Sequence, residues 1–193
     1  MKFIGFYDYT VILTYLSLVS AVIGMVSASR GSFGTAIVCI LVSGICDAFD
    51  GTVARTKKNR TEDEKTFGIQ LDSLCDVVSF GIFPAFLLHC MGVKGPLGMV
   101  ILCFYCICGV IRLGFFNVME AKRQQVETGC GKEYRGLPIT SMSMVMPLAY
   151  LLRLILPGKV FRWLLYILPA LVGFLFILDF RVKKPNLAKL FSK

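Results

Sequence analysis

Residues Cys46–Arg55 read CDAFDGTVAR, and Gly68–Asp76 read GIQLDSLCD. The first stretch closes an apolar run that begins at Phe33. The second opens another that continues to Met91. Each run reaches the length of about 20 residues that a helix needs to cross the hydrocarbon core of a bilayer. Each also carries two aspartates near the end that meets its neighbour: Asp47 and Asp50 on one, Asp72 and Asp76 on the other. Two consecutive spans run antiparallel, so all four acids fall on one side of the membrane at similar depth. Ionisable groups at such depth are costly, and they mark function by default.

Working outward, four more apolar runs are visible, at 9–28, 96–119, 137–156 and 160–180, the last two separated by Pro157-Gly158. With 33–54 and 67–91 they predict an all-α integral membrane protein of six transmembrane helices, a form in which each segment satisfies its own backbone in lipid. The 193-residue chain is 56% hydrophobic and 17% charged, with a mean hydropathy of +0.72, and it reads as a single membrane domain over 1–193. The first apolar run lacks the flanks of a cleaved signal and is expected to be retained. The connection 56–66 (TKKNRTEDEKT) has no glycine or proline and is expected to form a short surface helix. All but one of the eight cysteines fall in apolar runs. The Cys103-x-x-Cys106 spacing has no second pair, so the thiols read as buried side chains rather than metal ligands.

Lysine and arginine set the orientation. The N-terminus, the connections after the second and fourth spans and the C-terminal tail carry 15 of the 21 basic residues; the opposite side carries five. Both termini and the acidic cluster are therefore expected in the cytoplasm. This asymmetry accounts for the net charge of +9 without a nucleic-acid partner, and it offers a basic rim to anionic lipid head groups.

Asp47, Gly51 and Arg55 repeat at i, i+4, i+8, with Asp50 and Ala54 on the adjoining row; Gly68, Asp72 and Asp76 repeat at the same interval. Each helix thus presents a polar stripe that contains a small residue. Four carboxylates sharing a cleft repel one another unless cations intervene. Hard divalent ions such as Mg²⁺ or Mn²⁺ take oxygen ligands and leave positions for phosphate, and two of them beside a diphosphate stabilise both attacking and leaving oxygens. Gly51, Ala54 and Gly68 admit close approach of a nucleotide. A cation transporter with an acidic intramembrane site is the alternative of another class, though it leaves Gly51, Ala54 and Arg55 unexplained.

The ordered set Asp47-x-x-Asp50-Gly51-x-x-Ala54-Arg55 … Gly68-x-x-x-Asp72-x-x-x-Asp76 resembles the signature of the CDP-alcohol phosphatidyltransferases. The twelve residues 56–67 make the interval from Arg55 to Gly68 longer than usual there, by about one helical turn. The resemblance implies two metal ions on Asp47, Asp50, Asp72 and Asp76. It implies donor binding by Gly51, Ala54, Arg55 and Gly68, and Asp76 as the base that takes a proton from an attacking hydroxyl. Attack on CDP-diacylglycerol then releases CMP. A homodimer is implied as well.

Three stretches are similar to the phosphatidylserine synthase branch. They are Ser79-Phe80-Gly81-x-x-Pro84 after the last aspartate, Gly136-Leu137-Pro138 within YRGLPIT, and Arg112-Leu113 … Phe116-Asn117 within IRLGFFN. Phe115 stands where that branch has a second arginine, and Gly114 where it has alanine. The implied acceptor is L-serine, its carboxylate on Arg112, with Asn117 and Arg135 as further candidate contacts; a planar guanidinium suits such an anion. Arg112 alternatively neutralises an aspartate of the cluster. Glycerol 3-phosphate or inositol phosphate is the alternative acceptor.

Overall fold

The structure is a computed structural model that describes residues 5–54, 56–57, 61–125 and 133–183, with side chains over the same range except those of residues 120, 122–125, 133–135 and 181–183. A 3-10 turn at Tyr9–Val11 leads into α1 (Ile12–Ser29), and α2 spans Phe33–Ala54. α3 (Glu62–Asp76) passes through a π-helical segment, Val77–Ile82, into α4 (Phe83–Met91). α5 runs Gly95–Gln125; β1 is Glu133–Arg135; a 3-10 turn at Ile139–Ser141 opens α6 (Met142–Leu152); α7 is Gly158–Ile177 and β2 is Arg181–Lys183.

Burial inverts the pattern of a water-soluble protein. From the preceding turn through α1 the inward stripe is Thr10, Thr14, Ser17, Ala21, Gly24 and Ala28, while Ile12, Leu16, Val19, Ile23 and Val26 face outward. Between membrane helices the lipid already solvates apolar groups, so small and hydroxylated residues favour the contacts through close packing and hydrogen bonds. Accordingly Ser20 donates to the Cys39 carbonyl at 2.9 Å and Ser43 to the Ser17 carbonyl at 3.0 Å, zipping α1 to α2. α2 meets α6 just as closely, since a Cβ on Gly44 would lie 2.3 Å from Ser143 Oγ. The large residues Phe80, Phe83, Leu87, Leu88, Tyr105, Met142 and Met146 fill the centre.

The charged connection departs from expectation. Among the described residues no separate surface helix forms. Instead Thr61 begins α3 with a capping box: its Oγ1 accepts from the Glu64 N–H at 3.2 Å, and the Glu64 carboxylate accepts from the Thr61 N–H at 3.0 Å. The Thr-x-x-Glu spacing encodes this start. The extra length before Gly68 therefore goes into the first turns of the third membrane helix, which continues to Met91 over 30 residues.

The π segment has an identifiable chemical cause. Pro84 has no N–H to return to the carbonyl four residues earlier. That carbonyl, on Phe80, instead accepts from the buried Tyr105 hydroxyl of α5, and the Cys106 thiol lies 3.7 Å from the Gly81 carbonyl. All seven described cysteines are free, three of them buried.

Among the described residues, five helical stretches are long and apolar enough to cross a membrane. The run expected at 137–156 is the exception: its α-helix has 11 residues. Pro138 holds the preceding chain extended, and the chain turns at 153–156 before Pro157. α5 extends past its expected end at Met119 to Gln125. The antiparallel β1–β2 pair, Glu133↔Lys183 to Arg135↔Arg181, is an addition to the all-helical expectation and ties the chain after α7 to the loop before α6. At the opposite end of the bundle His89 reaches the connection after its helix, with Nδ1 3.1 Å from the Val93 carbonyl, and Tyr166 bonds both backbone groups of Lys94 at 2.9–3.0 Å.

Candidate active site

The antiparallel course of α2 and α3 brings the two acidic stripes face to face. Asp47, Asp50 and Asp72 each place a carboxylate oxygen within 4.8 Å of the others. Asp76 lies deeper, 8% exposed, and its carboxyl touches that of Asp47; Asp50 and Asp72 make the same contact. Carboxylates do not meet in this way as bare anions, because each repels the next at short range in a low dielectric. Hard oxygen donors converging from two helices are the donor set that Mg²⁺ or Mn²⁺ takes, so the residues present fit a divalent ion. Among the described residues no lysine or arginine pairs with any of the four acids.

The small residues stand on the same helices. Gly51 is exposed and Ala54 half-buried at the end of α2, and Gly68 is half-buried one turn before Asp72. Arg55 lies outside the described residues. A third helix also contributes, with no motif to announce it: Thr14 of α1 donates to Asp50 Oδ2 at 3.4 Å. Thr10, one turn nearer the acidic end, is 3% exposed, and its hydroxyl has no hydrogen-bond partner among the described residues. Asp8 meets Lys57 at 2.7 Å, and Lys57 reaches Glu64 at 3.4 Å, clasping the approach to α1 against the start of α3. The Lys57 ammonium holds the Asp8 carboxyl below the usual carboxylate range, and Asp8 in turn raises the lysine.

The acceptor candidates sit on α5 and on the loop before α6. Asn117 Oδ1 accepts from the Ser73 hydroxyl at 3.0 Å, fastening α5 to α3 one residue from Asp72. Arg112 is 8% exposed; its Nε donates to the Leu137 carbonyl at 3.0 Å and its guanidinium lies 5.8 Å from the Phe116 ring centre. The Arg112–Asn117 and Gly136-Leu137-Pro138 stretches, 25 residues apart at their hydrogen bond, are thereby brought together. Gly136 makes this possible with φ of +71°, a backbone region glycine enters readily. Among the described residues Arg112 pairs with no aspartate, contrary to the charge-neutralising alternative. The backbone of Arg135 lies in β1; its side chain is not among those described. The structure also places Asp179, which no motif marks, beside Arg112 around a common cavity.

Carboxylates gathered from adjacent membrane helices at one end of the bundle, with small residues on the same helices, define a polytopic membrane protein with an acidic cluster able to take a divalent cation. The sequence model of CDP-alcohol phosphatidyltransferase matches residues 9–175, and the chain belongs to that family, whose members depend on divalent metal. It is 39% identical over 116 residues to the CDP-diacylglycerol–serine O-phosphatidyltransferase of Saccharomyces cerevisiae, covering 58% of this chain and 41% of the relative. It is 33% identical over 148 residues to the archaetidylserine synthase of Methanothermobacter thermautotrophicus, covering 72% and 56%. It is 32% identical over 132 residues to the CDP-diacylglycerol–serine O-phosphatidyltransferase of Methanocaldococcus jannaschii, covering 68% and 56%. The matched segments thus span about half the length of these relatives. No solved structure matches the chain.

Proposed function

We propose that the chain transfers a phosphatidyl group from CDP-diacylglycerol to the hydroxyl of L-serine, giving phosphatidylserine and CMP. The observation that carries this reading is the convergence of Asp47, Asp50, Asp72 and Asp76 on one site, in a chain whose relatives are named for serine transfer. Asp47, Asp50 and Asp72 hold metal, two ions of Mg²⁺ or Mn²⁺, and Asp76 completes the set. Bound divalent ions supply charge stabilisation to the diphosphate and to the departing CMP oxygen. Gly51, Ala54 and Gly68 let the nucleotide approach the backbone, and Arg55 contributes a positive charge toward it.

Asp76 receives the proton of the serine hydroxyl, a weak nucleophile that needs a base within hydrogen-bond reach. The serine oxygen forms a bond to the β-phosphorus, the bond from that phosphorus to the CMP oxygen breaks, and CMP leaves with the electron pair. Arg112 takes the serine carboxylate, with Asn117 and Arg135 as further polar contacts at the acceptor side. The site faces the cytosolic leaflet, where a lipid donor and a water-soluble acceptor meet, and both termini lie on that side. A homodimer is the working assembly.

The testing experiment supplies purified protein with labelled CDP-diacylglycerol and a panel of acceptors: L-serine, glycerol 3-phosphate and inositol phosphate. CMP release and labelled phosphatidylserine are expected with serine and metal together. CMP release with a phosphorylated acceptor alone would replace serine as the substrate.

A further inference from the structure

A second cluster of charge stands apart from the four metal-facing aspartates. α5 and α7 pack side by side, and the β1–β2 pair draws the ends of both toward the loop before α6. Between them is an open cavity of about 220 Å³, bounded by Ile111, Arg112 and Phe115 of α5, by Gly136, by Phe176 of α7 and by Asp179 two residues beyond it. It is smaller than the roughly 300–1,000 Å³ of pockets that enclose drug-sized ligands. Among the described residues its walls are mostly apolar, with one cation and one anion among them.

Among the described residues neither charge has an ion-pair partner, and Asp179 is exposed. Arg112 is 8% exposed, and among the described residues its only side-chain hydrogen bond runs from Nε to Leu137. The other face of the guanidinium fork has no partner there. Asp179 forms no ion pair among the described residues. It is also the only acidic residue after Glu133, in a tail otherwise rich in lysine and arginine. A cationic fork and a carboxylate flanking one small cavity are complementary to a zwitterion. Depth agrees with the reaction. The Ser73–Asn117 bond fixes the level of α3 against α5. From that level Asp76 lies three residues, about 4.5 Å, further along α3, and Arg112 five residues, about 7.5 Å, back along the antiparallel α5. Both steps lead the same way into the bundle, so the backbone levels of Asp76 and Arg112 differ by about 3 Å in depth.

We propose that this cavity is the amino-acid pocket of the acceptor site and that Asp179 binds the α-ammonium while Arg112 binds the α-carboxylate. The assignment rests on serine transfer as the reaction. It makes Asp179 the specificity-determining residue that distinguishes an amino acid from a hydroxy acid.

Initial rates with saturating CDP-diacylglycerol and Mn²⁺ test it, using L-serine, 3-hydroxypropionate, which lacks the ammonium, and ethanolamine, which lacks the carboxylate. The wild-type protein is expected to prefer serine over both by more than about tenfold, the value of one charge-assisted hydrogen bond. Asp179→Asn is expected to raise the KM for serine roughly tenfold with kcat little changed, to leave the KM for CDP-diacylglycerol unchanged, and to abolish the preference over 3-hydroxypropionate alone. Asp179→Glu is expected to restore part of that preference. Arg112→Gln is expected to abolish the preference over ethanolamine alone. Equal wild-type rates with serine and 3-hydroxypropionate would overturn the pocket without recourse to any variant, as would an Asp179→Asn protein that keeps the serine KM and the preference. Absence of phosphatidylserine from wild-type protein that turns over another alcohol would instead remove the reaction on which the pocket depends.

Discussion

Asp76 differs from its three companions in placement: it is 8% exposed and touches Asp47, whereas Asp47, Asp50 and Asp72 hold oxygens within 4.8 Å of one another. That separation suits a division between metal binding and proton removal. Asp76→Asn keeps the shape of the side chain and removes its basicity. Transfer is expected to fall by about 10²- to 10⁴-fold, the usual contribution of a general base. Stabilisation by CDP with metal should persist in a thermal melt; a variant with wild-type turnover would exclude the role. Thr14 acts one step further out, through its hydrogen bond to Asp50. Thr14→Val is expected to raise the Mn²⁺ concentration needed for half-maximal rate severalfold, about the effect of one neutral hydrogen bond. Thr14→Ser should restore it, and a drop in rate that excess metal does not relieve would show that the hydroxyl does something else.

The element that most affects the site is the third membrane helix, because its π-helical segment begins directly after Asp76. One additional residue in a turn rotates everything beyond it. The acids can therefore face α2 while Phe80 and Phe83 still fill the core. Pro84 releases a carbonyl and Tyr105 satisfies it. Tyr105→Phe leaves that buried acceptor without a donor and is expected to destabilise the protein by about 1–3 kcal/mol, read as a lower Tm in detergent. An unchanged Tm would mean that the hydroxyl contributes nothing to this helix. The segment was illegible in the sequence, where 67–91 reads as one membrane span. Its cause is a contact between Pro84's helix and a tyrosine 21 residues away on another.

At the scale of the whole molecule, four carboxyl groups from two neighbouring helices crowd one end of the bundle. Metal that binds the folded state alone raises its stability, by about 2.7 kcal/mol when the free ion stands at 100 times its Kd. Mn²⁺ or Mg²⁺ is therefore expected to raise the Tm of the wild-type protein, EDTA to reverse the shift, and the combined Asp50→Asn, Asp72→Asn substitution to abolish it. A Tm indifferent to both metal and chelator would remove the cation site.

Much of this was open to reading in the linear order. Apolar runs fixed which segments are helical, because a chain in lipid must bond its own backbone. The i, i+4 spacing fixed which aspartates share a stripe, because helical geometry repeats every 3.6 residues. Both are local rules. The length of α6, the hydroxyl of Thr14 on Asp50, and the meeting of Arg112 with Gly136, Leu137 and Asp179 came only from the tertiary structure. Each depends on which helices become neighbours and at what height, and that is settled by packing between segments far apart in the chain.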